Sequence, residues 1–385
     1  MRLWRVFVKS LREQSRDLLT LSLSITLAPV FVFLYWLFFP SGGSTTYDAV
    51  VINNDLPIAG ITAGEDLIAA LSEVTYSDGQ PILDVHLMED QTAAETKIKD
   101  RKFEVMLVIP EDLSATIHDF QTGVVVEPAA VTFIGDLTNP YYAVAAVMAN
   151  AGLEGYVQFI TGEERPITVE EVPLGDSAGR TEFEIYVPGM LMFSIVILVF
   201  EASMVVAYEV ESGTLKRLKI TKVSTFELLG GISASVILIG VVGLLLAIAT
   251  ALALGFTSHG PLWVAILIGV ITTISVIGVG LMIAAFSKTV SQAFIIANFP
   301  LVFFMFFTGV VFPIPGVTLF TIAGHPFGLY DFLPPTHAVV ALSKVMTLGA
   351  GLDEVVFELS ALVILSVIYF ALGVWLFQRK HMRTT

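Results

Sequence analysis

Cysteine is absent from this 385-residue chain and charge is scarce, with 14% of residues charged against 55% hydrophobic. The first absence excludes a disulfide framework and a Cys-based metal site. The second excludes an ordinary soluble protein, in which about 25% of residues are charged. Common enzyme signatures are missing too: no HExxH, no GxSxG and no dinucleotide fingerprint. Ser287-Lys288-Thr289 is no phosphate loop, because the upstream glycines of G-x-x-x-x-G-K-[ST] are not there. Without a recognisable nucleophile or metal constellation, an intramembrane enzyme is disfavoured. Ionisable residues near mid-membrane are scarce and no inverted repeat is visible, which disfavours an ion-coupled secondary transporter.

Long apolar runs are what the chain has. Spanning a hydrocarbon core of about 30 Å takes roughly 20 helical residues. Six runs qualify: Leu18–Phe39, Ile185–Ala207, Leu228–Phe256, Leu262–Phe286, Ala293–Phe312 and Val355–Phe377. The first is too long for a signal-peptide core of about 7–15 residues and is read as a retained helix, with Pro29 kinking it. The predicted fold is therefore a polytopic α-helical membrane protein with six transmembrane helices in a 1+5 arrangement. A polar segment of residues 40–182 is inserted after the first helix.

Orientation follows from Lys and Arg near the span ends. Arg2, Arg5, Lys9, Arg12, Arg16, Lys216, Arg217, Lys219, Lys222, Lys288, Arg379, Lys380 and Arg383 fall on one side, thirteen of the 20 basic residues. Outside the insert, Lys344 alone lies in the opposite loops. Both termini and the 208–229 loop are thus predicted cytoplasmic, with residues 40–182 outside. The insert carries 24 Asp and Glu against 6 Lys and Arg, so the formal charge of −15 resides there. It is read as a solvated acidic face or as an acidic site for a cation or basic substrate.

Within the insert, YDAVVIN, ILDVHLM, FEVMLVIP and VVVEPAAVTFI read as strands. GEDLIAALSEV, EDQTAAETKIKD, PEDLSATIHDF and YYAVAAVMANAGLEGYVQFI read as helices. This alternation predicts an α/β domain with a parallel or mixed sheet. Residues 1–17 form a basic amphipathic helix, with Arg5, Lys9, Arg12 and Arg16 on one side and Leu3, Phe7 and Leu11 on another. Such a helix lies in the interface, as a topology anchor or as a brace for the spans. Residues 313–353 are rich in proline, and their apolar pieces VTLFTIAG and HAVVALSKVMTLG are too short to span. Short helices dipping partway into the bilayer are expected there.

The segment YEVESGTLKRLKITKVSTFELL, residues 208–229, interrupts two apolar runs but is too small for a catalytic domain. Leu215 and Leu218 share a helical face, and Gly213 breaks the preceding helix so that a short one starts at Thr214. A charged protrusion on the span ends suits docking of a cytosolic partner; the cations also satisfy the general positive-inside bias. Glu209, Glu211, Gly213, Thr214 and Leu218 spell Glu-x-Glu-x-Gly-Thr-x-x-x-Leu. This run, the phrases VINND and MLVIPEDLSATI, and the 1+5 layout resemble the permease subunits of type-2 ABC exporters, those with a large external domain between the first two spans.

The resemblance covers nearly the whole chain, and it implies that the 208–229 loop is a coupling helix seated in a cleft of a separate ATPase. Glu209, Glu211, Gly213, Thr214, Lys216, Arg217 and Leu218 are the expected coupling residues. It further implies a basic interfacial connecting helix, a re-entrant hairpin between spans five and six, and pairing with a second, identical or related permease. No cofactor is expected in this chain; ATP and Mg would sit on the ATPase, so this chain is expected not to be an enzyme. Membrane lipid is an expected contact, nucleic acid is not, and the plasma membrane is the expected location. The substrate implied is an amphipathic or hydrophobic molecule, a lipid or drug-like compound, exported from the cytoplasm. Alternatives are an ABC-coupled protein acting mechanically on something outside, or an ATPase-free receptor or scaffold.

Glu201 is the acidic residue inside a span core, read as a substrate or cation contact or as a structural pair with the basic N-terminal helix. Asn298 and Pro300 bend the fifth span, either beside a pathway or for packing. His325 and His337 match no metal spacing and are expected at a surface or interface. Gly230–Ser235, Gly278 and Gly280 are expected to allow close helix contacts.

Overall fold

A computed structural model describes residues 2–38, 46–76, 79–100, 102–124, 127–162, 181–215, 223–311, 318–322 and 324–382. The chain divides into two compact units: Met1–Ser41 with Pro173–Thr385, and Gly42–Val172. The first segment holds α1 (Arg2–Arg16) and α2 (Leu18–Phe38). The inserted unit runs β1 (Tyr47–Asn53), α3 (Ala63–Ser72), β2 (Leu83–Leu87), α4 (Gln91–Lys99), β3 (Val105–Ile109), α5 (Leu113–Gln121), β4 (Thr132–Ile134) and α6 (Pro140–Thr161). The remainder holds α7 (Glu182–Val196), α8 (Leu198–Glu211), α9 (Thr225–Ala253), α10 (Leu262–Phe286), α11 (Val290–Phe307), β5 (Thr318–Ile322), β6 (His325–Gly328), α12 (Pro334–Leu348) and α13 (Val356–Phe377). Among the described residues, seven helical stretches are long and apolar enough to cross a membrane, with α7 and α8 counted as one run and α6 included.

Helices in lipid gain no hydrophobic energy by touching one another, so close packing of small residues holds them. A Cβ built on Gly278 of α10 would lie 2.6 Å from the backbone of Tyr369 and Phe370 in α13. One built on Gly373 of α13 would lie 2.5 Å from the Gly278 carbonyl oxygen, so the two backbones meet directly. The outward faces are apolar: Phe294, Phe299 and Phe303 on α11, and Val363, Ile364 and Val367 on α13, are exposed. In water such faces would aggregate; in a bilayer they meet lipid tails.

The basic N-terminal helix lies on α9. Val6 and the Leu3 carbonyl close over Gly231, where a Cβ would meet Val6 Cβ at 2.7 Å. Ser10 and Ser235 hydroxyls lie 2.8 Å apart, and Gln14 donates to Ser235 Oγ at 3.0 Å. The packed stripe is therefore Leu3, Val6, Ser10 and Gln14 at helical spacing, half polar, rather than Leu3, Phe7 and Leu11 alone. Arg5, Arg12 and Arg16 remain exposed.

In the inserted unit β1 pairs in parallel with β2 and β3, β4 joins β3 antiparallel, and the order is β2-β1-β3-β4. Side chains alternate between faces of a strand, so Ala49 and Val51 enter one cluster while Val50 and Ile52 enter another. The first is covered by Leu67 and Leu71 of α3 and by Ala145, Ala149 and Tyr156 of α6, the second by Ala94 and Ile98 of α4. Burial on both faces explains the unbroken apolar run in β1. The stretch VVVEPAAVTFI forms only the short strand Thr132–Ile134 among the described residues; Pro128 lacks the donor a ladder needs.

Two expectations for residues 313–353 change. The piece TLFTI is strand β5, paired antiparallel with β6, instead of a helix dipping into the bilayer. Threonines and aromatic or branched side chains favour a strand here, and Gly324 turns the hairpin at φ 84°. His337 is buried instead of lying at a surface, its Nε2 2.9 Å from the Asp331 carbonyl oxygen.

Candidate functional site

The Glu-x-Glu run ends α8, and its two carboxylates serve different neighbours. Successive helical residues are rotated by about 100°, so residues two apart differ by about 200°. Glu209 is 3% exposed and accepts from Lys9 Nζ of α1 at 2.6 Å. Lys9 also lies 3.5 Å from Glu13 on its own helix. Partial burial lowers the Lys9 pKa, but the hydrogen bond and charge of Glu209, with those of Glu13, outweigh it and raise the pKa overall. Glu211 is exposed and reaches the start of α11, where its Oε2 accepts from the Val290 N–H at 2.7 Å. The first N–H groups of a helix lack internal partners and carry partial positive charge, so a carboxylate there is favourable. Thr289 adds an N-cap, its hydroxyl accepting from the Gln292 N–H.

After Glu211 the chain turns through Gly213 at φ 71°, whose N–H donates to the Val210 carbonyl. The left-handed conformation costs a Cβ-bearing residue roughly 1–2 kcal/mol, so glycine there stops α8. Helical conformation resumes at Thr214, and Leu215 is buried in the core of the membrane unit. Lys216, Arg217 and Leu218 lie outside the described residues. On the return, Ser224 and Glu227 form a reciprocal capping box at the start of α9. Its sequence signature is Ser-x-x-Glu before an apolar run. The motif thus ties α1, α8 and α11 together at one end of the unit.

Among the described residues Glu201 forms no ion pair with the basic N-terminal helix, which corrects the expected structural pair. Lys9 takes Glu209 instead, because Glu201 lies eight residues, more than two turns, further back along α8. Glu201 is 4% exposed, its carboxylate hydrogen-bonds the Ser24 hydroxyl of α2, and its Oε2 has no partner among the described residues. Asn298 is exposed on α11 and donates to the Phe294 carbonyl of its own helix at 2.9 Å. The α11 helix continues through Pro300. Among the described residues the Asn298 amide and the Glu201 carboxylate share no hydrogen bond. Sequence reasoning placed Lys9 on the basic face of α1 without its Glu209 partner, and did not single out Gln14.

In the inserted unit, Asp55 follows β1 and caps two helices. Its carboxylate accepts from the Gly64 N–H at 2.8 Å and from the Ser114 N–H and hydroxyl at 2.7 and 2.6 Å. The strand order reverses between β1 and β3, where open α/β sheets take ligands, and Asp55 fills that crevice itself. Asp48 of β1 stands opposite Asp84 of β2, and Glu104, just before β3, accepts from the Asp48 N–H at 2.6 Å with its carboxylate. Burial, and after it the Asp48 charge, raises the Glu104 pKa. Among the described residues Asp48, Asp84 and His86 are the group with three convergent metal-ligating atoms, within 4.8 Å of one another. His86 Nε2 lies 3.1 Å from Asp48 Oδ1 and 3.5 Å from Asp84 Oδ2, a bridge between two carboxylates. An apolar cavity of about 540 Å³ lies between α5 and α6, lined by Leu113, Phe120, Leu153 and Ile160 among others.

No curated protein matches the chain significantly. Residues 17–375 match the family described as ABC-2 family transporter protein, which covers nearly all of a chain already seen to be built of apolar helices around a Glu-x-Glu-x-Gly-Thr turn. The protein belongs to the ABC-2 family of membrane transport components, which implies partnership with an ABC ATPase.

Proposed function

We propose that the chain is the permease subunit of an ATP-driven exporter, moving an amphipathic or hydrophobic molecule out of the cytoplasm. In this reading residues 208–229 dock a separate ATPase that carries ATP and Mg, and two permeases, identical or related, form the pathway. Six helices cross the plasma membrane in a 1+5 arrangement with both termini cytoplasmic and residues 40–182 outside. The seventh apolar helix, α6, belongs to the external domain, since Ala145, Ala149 and Tyr156 pack on its sheet. The observation that carries the proposal is the wiring of the motif. Glu209 holds α1 and Glu211 caps α11, so a push on the turn at Gly213 reaches three helices at once. ATP-driven closure of the ATPases then biases the spans between inward- and outward-facing states.

Co-purification in mild detergent tests this. The tagged wild type brings down a cytosolic protein with a Walker A loop, and Arg217→Glu loses it. Arg217 is chosen over Glu211 because a lysine at Glu211 would also repel the start of α11. Purification of the chain without any ATPase, or with one indifferent to Arg217→Glu, sinks the reading. The apolar cavity of the inserted unit favours one second reading, in which an ABC-coupled external domain handles an apolar molecule outside.

A further inference from the structure

We infer that the membrane unit holds a binding site for an amphipathic organic cation, between α1, the start of α2 and one side of α8, with Glu201 in the first turn of α8 as the group that receives the charge. The inference names a substrate class for the proposed exporter and rests on that reading for its biological role.

A cavity of about 560 Å³ opens there, within the range of about 300–1,000 Å³ typical of small-molecule sites. Glu201 and Glu209 both line it, at 4% and 3% exposure, and so does Gln14. Each has one oxygen without a hydrogen-bond partner among the described residues: Glu201 Oε2, Glu209 Oε2 and Gln14 Oε1. All three orphan atoms are acceptors, and leaving buried acceptors unmatched is costly. Gln14 has already committed its donor nitrogen to Ser10 and Ser235. A ligand bringing positive charge or hydrogen-bond donors would relieve these atoms. The last torsion of a glutamate side chain is broad, so either carboxylate oxygen can be presented to the cavity.

The charges on the walls agree. Glu13, Asp17, Glu201 and Glu209 line the cavity against one cation, Arg16. Lys9 is spent on Glu209 and Glu13, which leaves Glu201 as the buried carboxylate with no counter-charge among the described residues. The charged form of a carboxyl buried in this way is unfavourable unless a cation joins it. Leu21, Met204 and Val205 supply the apolar wall, and Met204 is a side chain that adapts to irregular shapes. An apolar body with a positive head fits this lining; an anion of the same shape does not.

Tetraphenylphosphonium and tetraphenylborate share one shape and carry opposite charge, so they separate charge recognition from hydrophobic partition. Binding of each to the purified full-length chain in neutral detergent is measured by equilibrium dialysis, without ATPase. The phosphonium binds the wild type. Glu201→Gln weakens it at least about tenfold, as loss of one partner of a buried charge pair does. Met204→Trp, which fills the cavity and keeps the carboxylate, weakens it as well, and the borate binds no better than to empty micelles. Equal phosphonium affinity in wild type and Glu201→Gln overturns the inference, as does borate binding as tight as phosphonium binding. Should Glu201→Gln fail to fold, Met204→Trp decides: undiminished affinity with the cavity filled overturns it too. ATPase co-purification that survives while phosphonium fails to bind removes this site alone. Loss of co-purification with intact phosphonium binding removes the exporter reading alone.

Discussion

Removing Lys9 should cost more than removing its partner. Glu209 is almost fully buried, one of its oxygens lacks a partner among the described residues, and Lys9 lies 2.6 Å from the other. Breaking a buried ion pair from one side costs about 3–5 kcal/mol, because a charge is left uncompensated. The Lys9 side chain is 42% exposed, so water screens that end of the pair, and roughly 2 kcal/mol is the discounted cost of Lys9→Met. Glu209→Gln leaves a half-exposed ammonium that water and Glu13 satisfy, and the new amide oxygen still accepts; its cost is about 1 kcal/mol. The double variant should resemble Glu209→Gln alone, far from the sum of the two.

Trp4, Trp36, Trp263 and Trp375 all lie in the membrane unit, so intrinsic fluorescence during heating reports that unit. At about 2–4 °C per kcal/mol for a unit of this size, Lys9→Met lowers the apparent Tm by roughly 4–8 °C and Glu209→Gln by roughly half that. The raised Lys9 pKa sets the pH behaviour. The pair's contribution is fully present below the ordinary lysine value of 10.5 and fades as pH rises through the higher folded value. Equal losses from the two single variants, or an additive double variant, would refute the argument.

Gly278→Ala should lower the apparent Tm, because its Cβ would fall 2.6 Å from α13 backbone atoms that have no side-chain freedom to move aside; overpacking of this kind costs about 1–3 kcal/mol, and an unchanged Tm contradicts the packing. Glu104→Gln should stabilise the inserted unit at neutral pH. A carboxyl whose folded pKa is raised contributes stability below its ordinary value of 4.5 and loses it as pH rises through the folded value, so at pH 7 the charge is a liability. Hydrogen exchange at β1 and β3 should therefore slow in the variant at pH 7 and converge with wild type toward pH 4; faster exchange at pH 7 contradicts it. Single cysteines in this cysteine-free chain test the orientation. Arg217→Cys should resist a membrane-impermeant maleimide added to intact cells while Asp112→Cys reacts, and the reverse pattern refutes the proposed topology.

Periodicity made the helices and β1 legible, since AVVI between polar flanks states its own burial on both faces. The same reasoning misread TLFTI, because a short apolar run reads alike as strand or helix until a partner such as HPFG is known. The Glu-x-Glu motif was legible as a motif but not as a pair of struts. Nothing local says that Glu209 is buried under Lys9, 200 residues earlier in sequence, or that Glu211 meets a helix starting at Val290. Glu201 was legible as unusual, and its partner was not: spacing along α1 placed lysine and arginine near one end of the spans without saying which carboxylate would receive them. Long-range contacts of this kind depend on how α1 lies on α9, which Gly231 and Ser235 decide by letting it approach.

The central claim is that residues 208–229 touch an ATPase. Leu218→Cys introduces the sole thiol of the chain at the far end of the motif, and a short thiol-to-amine crosslinker applied to native membranes records what lies against it. The account predicts one product joining the chain to a Walker A protein, absent when the thiol is placed at Asp112 instead. A Leu218→Cys product containing only a second copy of this chain, or an ATPase captured at Asp112→Cys and not at Leu218→Cys, would contradict it.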